Sequence, residues 1–153
     1  MVIRKYEQSD LHEIASLIRD TFRKFNFNDN DLEISKKYTD LYDTDKNLEN
    51  IKYQFNTTTV FLVAEKQNQI VGTLRAIDNR IINLFVREKC HNQGIGKRLV
   101  TEFEIECKKR GFSEIILRSQ TFAIPFYLSC GYVHTSGFTD KFGLSTQAMK
   151  KSI

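Results

Sequence analysis

Little in this sequence would break or staple a chain. A single proline, Pro125, seven glycines and no low-complexity tract among 153 residues argue against a linker or a disordered arm. Cys90, Cys107 and Cys130 are an odd count at wide spacing and read as reduced thiols, not a disulfide framework. No Cys-x-x-Cys pair occurs and the three histidines are scattered, so no metal site is expected. No apolar run is long enough to span a bilayer, and Arg4, Lys5 and Glu7 charge the N-terminus where a secretory signal needs an apolar stretch. The expected location is the cytoplasm, away from membranes. With 41% hydrophobic residues, 1–153 is expected to form one domain with enough core to stand alone.

The net charge of +4 is unevenly spread. Residues 26–50 hold seven acids (Asp29, Asp31, Glu33, Asp40, Asp43, Asp45 and Glu49) against Lys36, Lys37 and Lys46, a net of −4 that leaves +8 on the rest. A basic remainder with an acidic segment suits an enzyme that holds a polyanionic co-substrate and accepts a cationic substrate. A solvated helical surface has the same composition. Basic residues interspersed with acids, without an aromatic–basic motif, argue against nucleic-acid binding.

The stretch around which the chain is organised is Leu84–Gly96. An apolar run, Ile81 to Val86, enters a short polar loop. Gly94 and Gly96 then open a stretch whose apolar residues, among them Leu99, Val100 and Phe103, recur at helical spacing. Such a loop points backbone N–H groups at an anion, and the helix adds the positive end of its dipole. A pyrophosphate is the expected guest; a tight turn is the plainer alternative. The Gly-Lys-Ser/Thr ending of a P-loop is absent, and Leu99 stands where a dinucleotide fingerprint needs its third glycine.

Along the chain, Val2–Tyr6 alternates as a strand, and Ser9-Asp10 with Glu13 reads as a capping box for a helix with the stripe Leu11, Ile14, Ala15, Leu17, Ile18 and Phe22. Two helical pieces are expected at about 31–42 and 46–55, within an aromatic-rich segment holding Phe25, Phe27, Tyr38, Tyr42, Tyr53 and Phe55. Residues 59–65, 70–76 and 80–86 read as an antiparallel meander. The glycine-loop helix should run to Arg110, and Ser113–Arg118 should pair parallel to 80–86 through a right-handed crossover. A short helix follows over 121–130, starting as late as Ile124 because of Pro125. Residues 132–134 and 144–149 read as closing strands, the last at an edge.

The order of elements and two motifs together resemble the GNAT superfamily, the N-acetyltransferases that use acetyl-coenzyme A. His91-Asn92-Gln93-Gly94-Ile95-Gly96 stands where that family has Gln/Arg-x-x-Gly-x-Gly/Ala, with His91 for the usual first residue. Gln120-x-x-Ala123-x-x-x-Tyr127-x-x-Cys130-Gly131-Tyr132 resembles its Asn-x-x-Ala-x-x-x-Tyr-x-x-x-Gly-Phe. The resemblance covers essentially the whole chain. It implies an α/β (α+β) fold: a mixed, mostly antiparallel sheet of about six to seven strands with one splayed parallel pair, flanked by about four helices. It implies acetyl-CoA as co-substrate and no metal. Backbone groups of Leu84, Phe85 and Val86 would hold the pantetheine arm. His91, Asn92, Gln93, Gly94, Ile95, Gly96 and Lys97 would hold the pyrophosphate, and Gln120 would also contact the cofactor.

Tyr127 matches the family's general acid, and a phenol of pKa about 10 suits protonation of a thiolate. A packing role on an amphipathic helix is the alternative. Some relatives place a glutamate where Arg80 falls, so no general base is assigned. A Cys90–His91 dyad is disfavoured because sequence neighbours usually diverge. The expected activity is acetyl transfer to a primary amine of a small molecule or peptide, with a cationic amine preferred, by a monomer or homodimer. A CoA-binding module without turnover, or an enzyme using another acyl-CoA, is the rival.

Overall fold

The computed structural model describes residues 1–26, 32–141 and 144–153. The alternating N-terminal segment forms β1 (Val2–Lys5), antiparallel to β2 (Val60–Lys66). β2, β3 (Gln69–Ile77) and β4 (Arg80–Val86) make the expected meander. Gln67, Asn68 and Asp78 take the left-handed backbone that its tight turns demand.

α1 (Leu11–Asn26) buries the whole expected stripe. Its cap differs from the sequence expectation. A 3-10 turn over Gln8–Asp10 intervenes, so the reciprocal capping bonds join Glu7 and Asp10, and the Arg4 guanidinium clasps Asp10 at 2.7 and 2.9 Å. That guanidinium holds the Asp10 carboxyl below its usual range. Glu13 instead turns to the sheet, accepting from the Ile70 amide at 2.9 Å and from Arg87 Nη2 at 3.2 Å, just beyond the end of β4.

The two helical pieces are α2 (Leu32–Leu41) and α3 (Thr44–Asn56), the second capped by the Asp43 carboxylate on the Asp45 amide. α4 (Ile95–Lys109) carries the crossover to β5 (Glu114–Gln120), parallel to β4 as expected. A 3-10 turn over Thr121–Ala123 precedes α5 (Ile124–Ser129), with Pro125 in its first turn, where a missing N–H costs nothing. β6 (Val133–Lys141) and β7 (Leu144–Ser152) close the sheet. Among the described residues there are thus five α-helices, where about four were expected.

The sheet order β1-β2-β3-β4-β5-β7-β6 corrects one expectation: β6, not the last strand, lies at the edge. β7 pairs with β5 from Glu114↔Ser152 to Gln120↔Thr146 and buries Thr146, Gln147 and Met149, whereas β6 leaves Val133 and Phe138 exposed. Helices cover both faces of the sheet. α4 packs Leu99, Val100, Phe103 and Cys107 on one; α1 and α3 pack Ile14, Leu17, Ile18, Ile51 and Phe55 on the other. Among the described residues no helix is long and apolar enough to cross a membrane.

Candidate active site

β4 and β5 are paired at only two positions, Arg80↔Ile116 and Ile81↔Leu117. Opposite β3, Ala76 faces Ile81 and Arg75 faces Asn83, so Ile82 is an extra residue, a bulge at the point where the parallel pair parts. Arg87 donates to the Val71 carbonyl at 2.9 Å. Backbone groups alternate along a strand, so those of Phe85 face β3 and those of Leu84 and Val86 face the gap. Of the three residues expected to present backbone there, two do so and Phe85 does not.

Beyond β4, a 3-10 turn over Glu88–Cys90 leads to Asn92 (φ 60°) and Gly94 (φ 77°), which caps α4. Left-handed backbone costs a residue with Cβ about 1–2 kcal/mol, which accounts for the glycine at 94. A Cβ on Gly94 would meet nothing within 4 Å, so the loop is open there. Gly96 differs: a Cβ would lie 3.0 Å from the Phe126 ring, so this glycine lets α4 press onto α5. Ile95 is buried in the core and offers only its backbone. Asn92 and Gln93 are exposed, and Gln93 is tied to Lys66 Nζ at 3.2 Å and the Lys89 carbonyl at 3.1 Å. The first turn of α4 has no acid, and the exposed Lys97 and Arg98 have no ion-pair partner among the described residues.

His91 was expected to face the phosphate. Its Nε2 instead lies 2.7 Å from the Val86 carbonyl, and its ring stacks on Phe25 at 4.7 Å. The turn folds the imidazole back over the end of β4, where that carbonyl is otherwise free.

Gln120 ends β5 half-buried, its side-chain amide without a partner among the described residues. One turn into α5, Tyr127 is 7% exposed, set edge-on to Phe126 and Tyr132 at 5.1 and 5.6 Å. Burial, then Cys130, pushes its phenol well above the ordinary value. Its hydroxyl has no hydrogen-bond partner among the described residues, and the neighbouring Tyr132 hydroxyl is buried without one. Cys90 and Cys130 are half-buried, and burial pushes the Cys107 thiol up to about 11.

On the α1–α3 side of the fork lies a group that sequence reading passed over. Arg75, 6% exposed, sends Nη2 to the Tyr42 hydroxyl at 3.5 Å and Nη1 to Gln54 Oε1 at 3.4 Å. Tyr42 and Tyr38 both bond Asn83, at 3.3 and 3.2 Å. The signal was present: Arg75 and Asn83 are polar interruptions in two apolar strands, whereas the tyrosines read as packing. Four acids of this segment are engaged in ion pairs. Glu33, Asp40, Asp43 and Glu49 pair with Lys37, Lys46, Arg19 or Lys52, and Asp29, Asp31 and Phe27 lie outside the described residues.

The family profile of the Acetyltransferase (GNAT) domain matches residues 28–153. Among solved structures, the PaiA N-acetyltransferase of Thermoplasma acidophilum, in complex with coenzyme A, is similar at 25% identity and a TM-score of 0.80, over 99% of this chain and 98% of that one. A GCN5-related N-acetyltransferase of Rhodopseudomonas palustris superposes at a TM-score of 0.84 with 20% identity, over 99% and 95% of the two chains. An aminoglycoside 6'-N-acetyltransferase complexed with coenzyme A does so at 0.74 and 19%, over 99% and 97%. Neither of these last two likenesses reaches beyond the fold. No curated protein matches the sequence. On the extent of the profile match, this chain belongs to the GNAT acetyltransferase family.

Proposed function

We propose that this protein transfers an acetyl group from acetyl-CoA directly to a primary amine of a small molecule or peptide. The observation that carries the reading is the strand edge left open at Leu84 and Val86, leading into a helix start that bears unpaired Lys97 and Arg98. A free strand edge suits an extended amide-bearing arm, and an acid-free helix N-terminus suits a pyrophosphate. The residues present therefore fit the co-substrate. Bound acetyl-CoA would supply the acetyl group as a thioester.

The chain's own groups divide the remaining work. Amides of Leu84 and Val86 orient the arm and offer donors to a developing oxyanion. His91, by occupying the Val86 carbonyl, fixes that end of the strand and leaves the Val86 amide for the ligand. The loop amides around Gly94, with Lys97, hold the pyrophosphate, and Gln120 contributes its unpartnered amide from the facing strand. Tyr127 gives its proton to the departing thiolate and is reprotonated through solvent by the proton that the attacking amine nitrogen loses, so that amine and thioester become amide and thiol; burial keeps the phenol protonated at working pH. A screen of amines, amino acids, aminoglycosides and peptides, read by free-thiol release from acetyl-, propionyl- and succinyl-CoA, tests the reading. Amine-dependent release fastest with acetyl-CoA is the expected result. Binding of acetyl-CoA without release on any amine would point to a module that binds and does not turn over.

A further inference from the structure

Beyond Ile81↔Leu117, the last pair of β4 with β5, the two strands part. Val86 and Phe122 each stand five residues past that pair, so in register they lie level across the open fork. Three rings from three elements connect these two points. His91 is fixed to the Val86 carbonyl at 2.7 Å, and Phe25, in the last turn of α1, stacks on its imidazole at 4.7 Å and 16°. Phe25 also lies nearly parallel to Phe122, at 6.2 Å and 15°, just past the end of β5.

The two halves of this row are unequally held. Toward β4 the last turn of α1 is fastened twice, by the stack on His91 and by Lys24 Nζ to Glu88 Oε1 at 3.3 Å. Toward β5 the row ends on Phe122, in a ring pair near the outer limit of aromatic contact. Phe25 is half-buried, and Phe122 keeps 45% of its surface exposed. Rings placed to fill the core would be covered, as Phe22 and Phe103 are. These two leave apolar surface at the mouth of the fork, beside the strand edge of Leu84 and Val86.

We infer that Phe25 and Phe122 grip the pantetheine arm of acetyl-CoA where it enters the fork. The inference rests on the acetyl-transfer reading and names two side chains that hold its co-substrate. The arm alternates amides with apolar segments. The edge of β4 offers backbone to the amides, and the rings offer apolar surface to the segments between. Because the β4 half of the row is fastened, Phe122 is the ring that yields to the arm and then closes on it.

Two measurements test the grip. In the first, calorimetry compares acetyl-CoA with its nucleotide half, adenosine 3'-phosphate 5'-diphosphate, which keeps the pyrophosphate and lacks the arm. Phe122→Ala should weaken acetyl-CoA at least about fivefold and the nucleotide half less than about twofold, whereas Phe122→Tyr should hold the wild-type ratio. Phe25→Ala should shift the ratio in the same direction. Phe122 is exposed, so its variants report even if Phe25→Ala loosens the His91 turn or fails to fold. Acetyl-CoA weakened no more than the nucleotide half by Phe122→Ala overturns the proposal. In the second, the chain has no tryptophan, so Phe122→Trp sets a single reporter at the mouth. Its emission should shift to the blue with acetyl-CoA and stay in place with the nucleotide half; the same emission with both overturns the grip. No thiol release on any amine, with the binding ratios as expected, overturns acetyl transfer while leaving the grip standing.

Discussion

The two sides of the β4–β5 fork are built by different means. The side toward α4 presents backbone: the open edge at Leu84 and Val86, the left-handed Gly94 and the first turn of α4. The side toward α1–α3 gathers side chains, Arg75, Tyr42, Asn83 and Tyr38, from three separate elements. Backbone recognition asks the sequence for space and conformation, which leave a glycine motif. Side-chain recognition asks for a polar atom at a point in space, which can come from anywhere in the chain.

The largest expected effect tests the junction of the two sides. Tyr127→Phe should lower kcat by about 100-fold or more, within the range of general acid catalysis, with acetyl-CoA affinity unchanged by calorimetry. Because burial raises this phenol, wild-type activity should hold past pH 10, the ordinary value, instead of falling there. A kcat equal to wild type would remove Tyr127 from the reaction.

Next comes Gly96. A Gly96→Val substitution should weaken acetyl-CoA binding more than tenfold, over about 1.4 kcal/mol, and lower Tm through its clash with Phe126. Adding Phe126→Ala should recover Tm without recovering affinity. Recovery of both would mean that the glycine serves only the packing of α4 on α5.

Smaller effects sharpen the contrast within the loop. His91→Ala should cost about twofold to tenfold in acetyl-CoA affinity, the worth of one hydrogen bond, equally at low and high salt. Lys97→Gln should cost a similar factor at low salt and little at high salt, as an exposed charge does. A salt-dependent loss at His91 would show that the imidazole meets the phosphate after all. Smallest of all, Arg75→Met should leave acetyl-CoA affinity unchanged, and any loss there would break the division between the two sides.

The sequence was legible where local rules act alone. Alternation and turn residues predict the meander, and the glycine pair with its helical spacing predicts the loop and crossover. Three points needed the third dimension. Which strand of the final hairpin docks on β5 depends on burying Thr146, Gln147 and Met149 together, which the hairpin's own pattern does not reveal. His91 follows a free carbonyl five residues back rather than the motif's usual role. The capping partner of Asp10 moved to Glu7 because a 3-10 turn shortened the approach to α1. The buried polar row was written as Arg75 and Asn83 in otherwise apolar strands, but its partners Tyr38 and Tyr42 come from and just beyond α2, with nothing in their spacing to announce them.

A balance of products distinguishes direct transfer of acetyl to an amine from hydrolysis of the thioester. Protein is incubated with isotope-labelled acetyl-CoA and the best acceptor from the amine screen, and free thiol and labelled N-acetyl product are both counted. Direct transfer gives one N-acetylated amine for each thiol released, with both losses of rate matched in Tyr127→Phe. Thiol release in excess of N-acetyl product, or unchanged when the amine is withheld, would show hydrolysis in place of transfer.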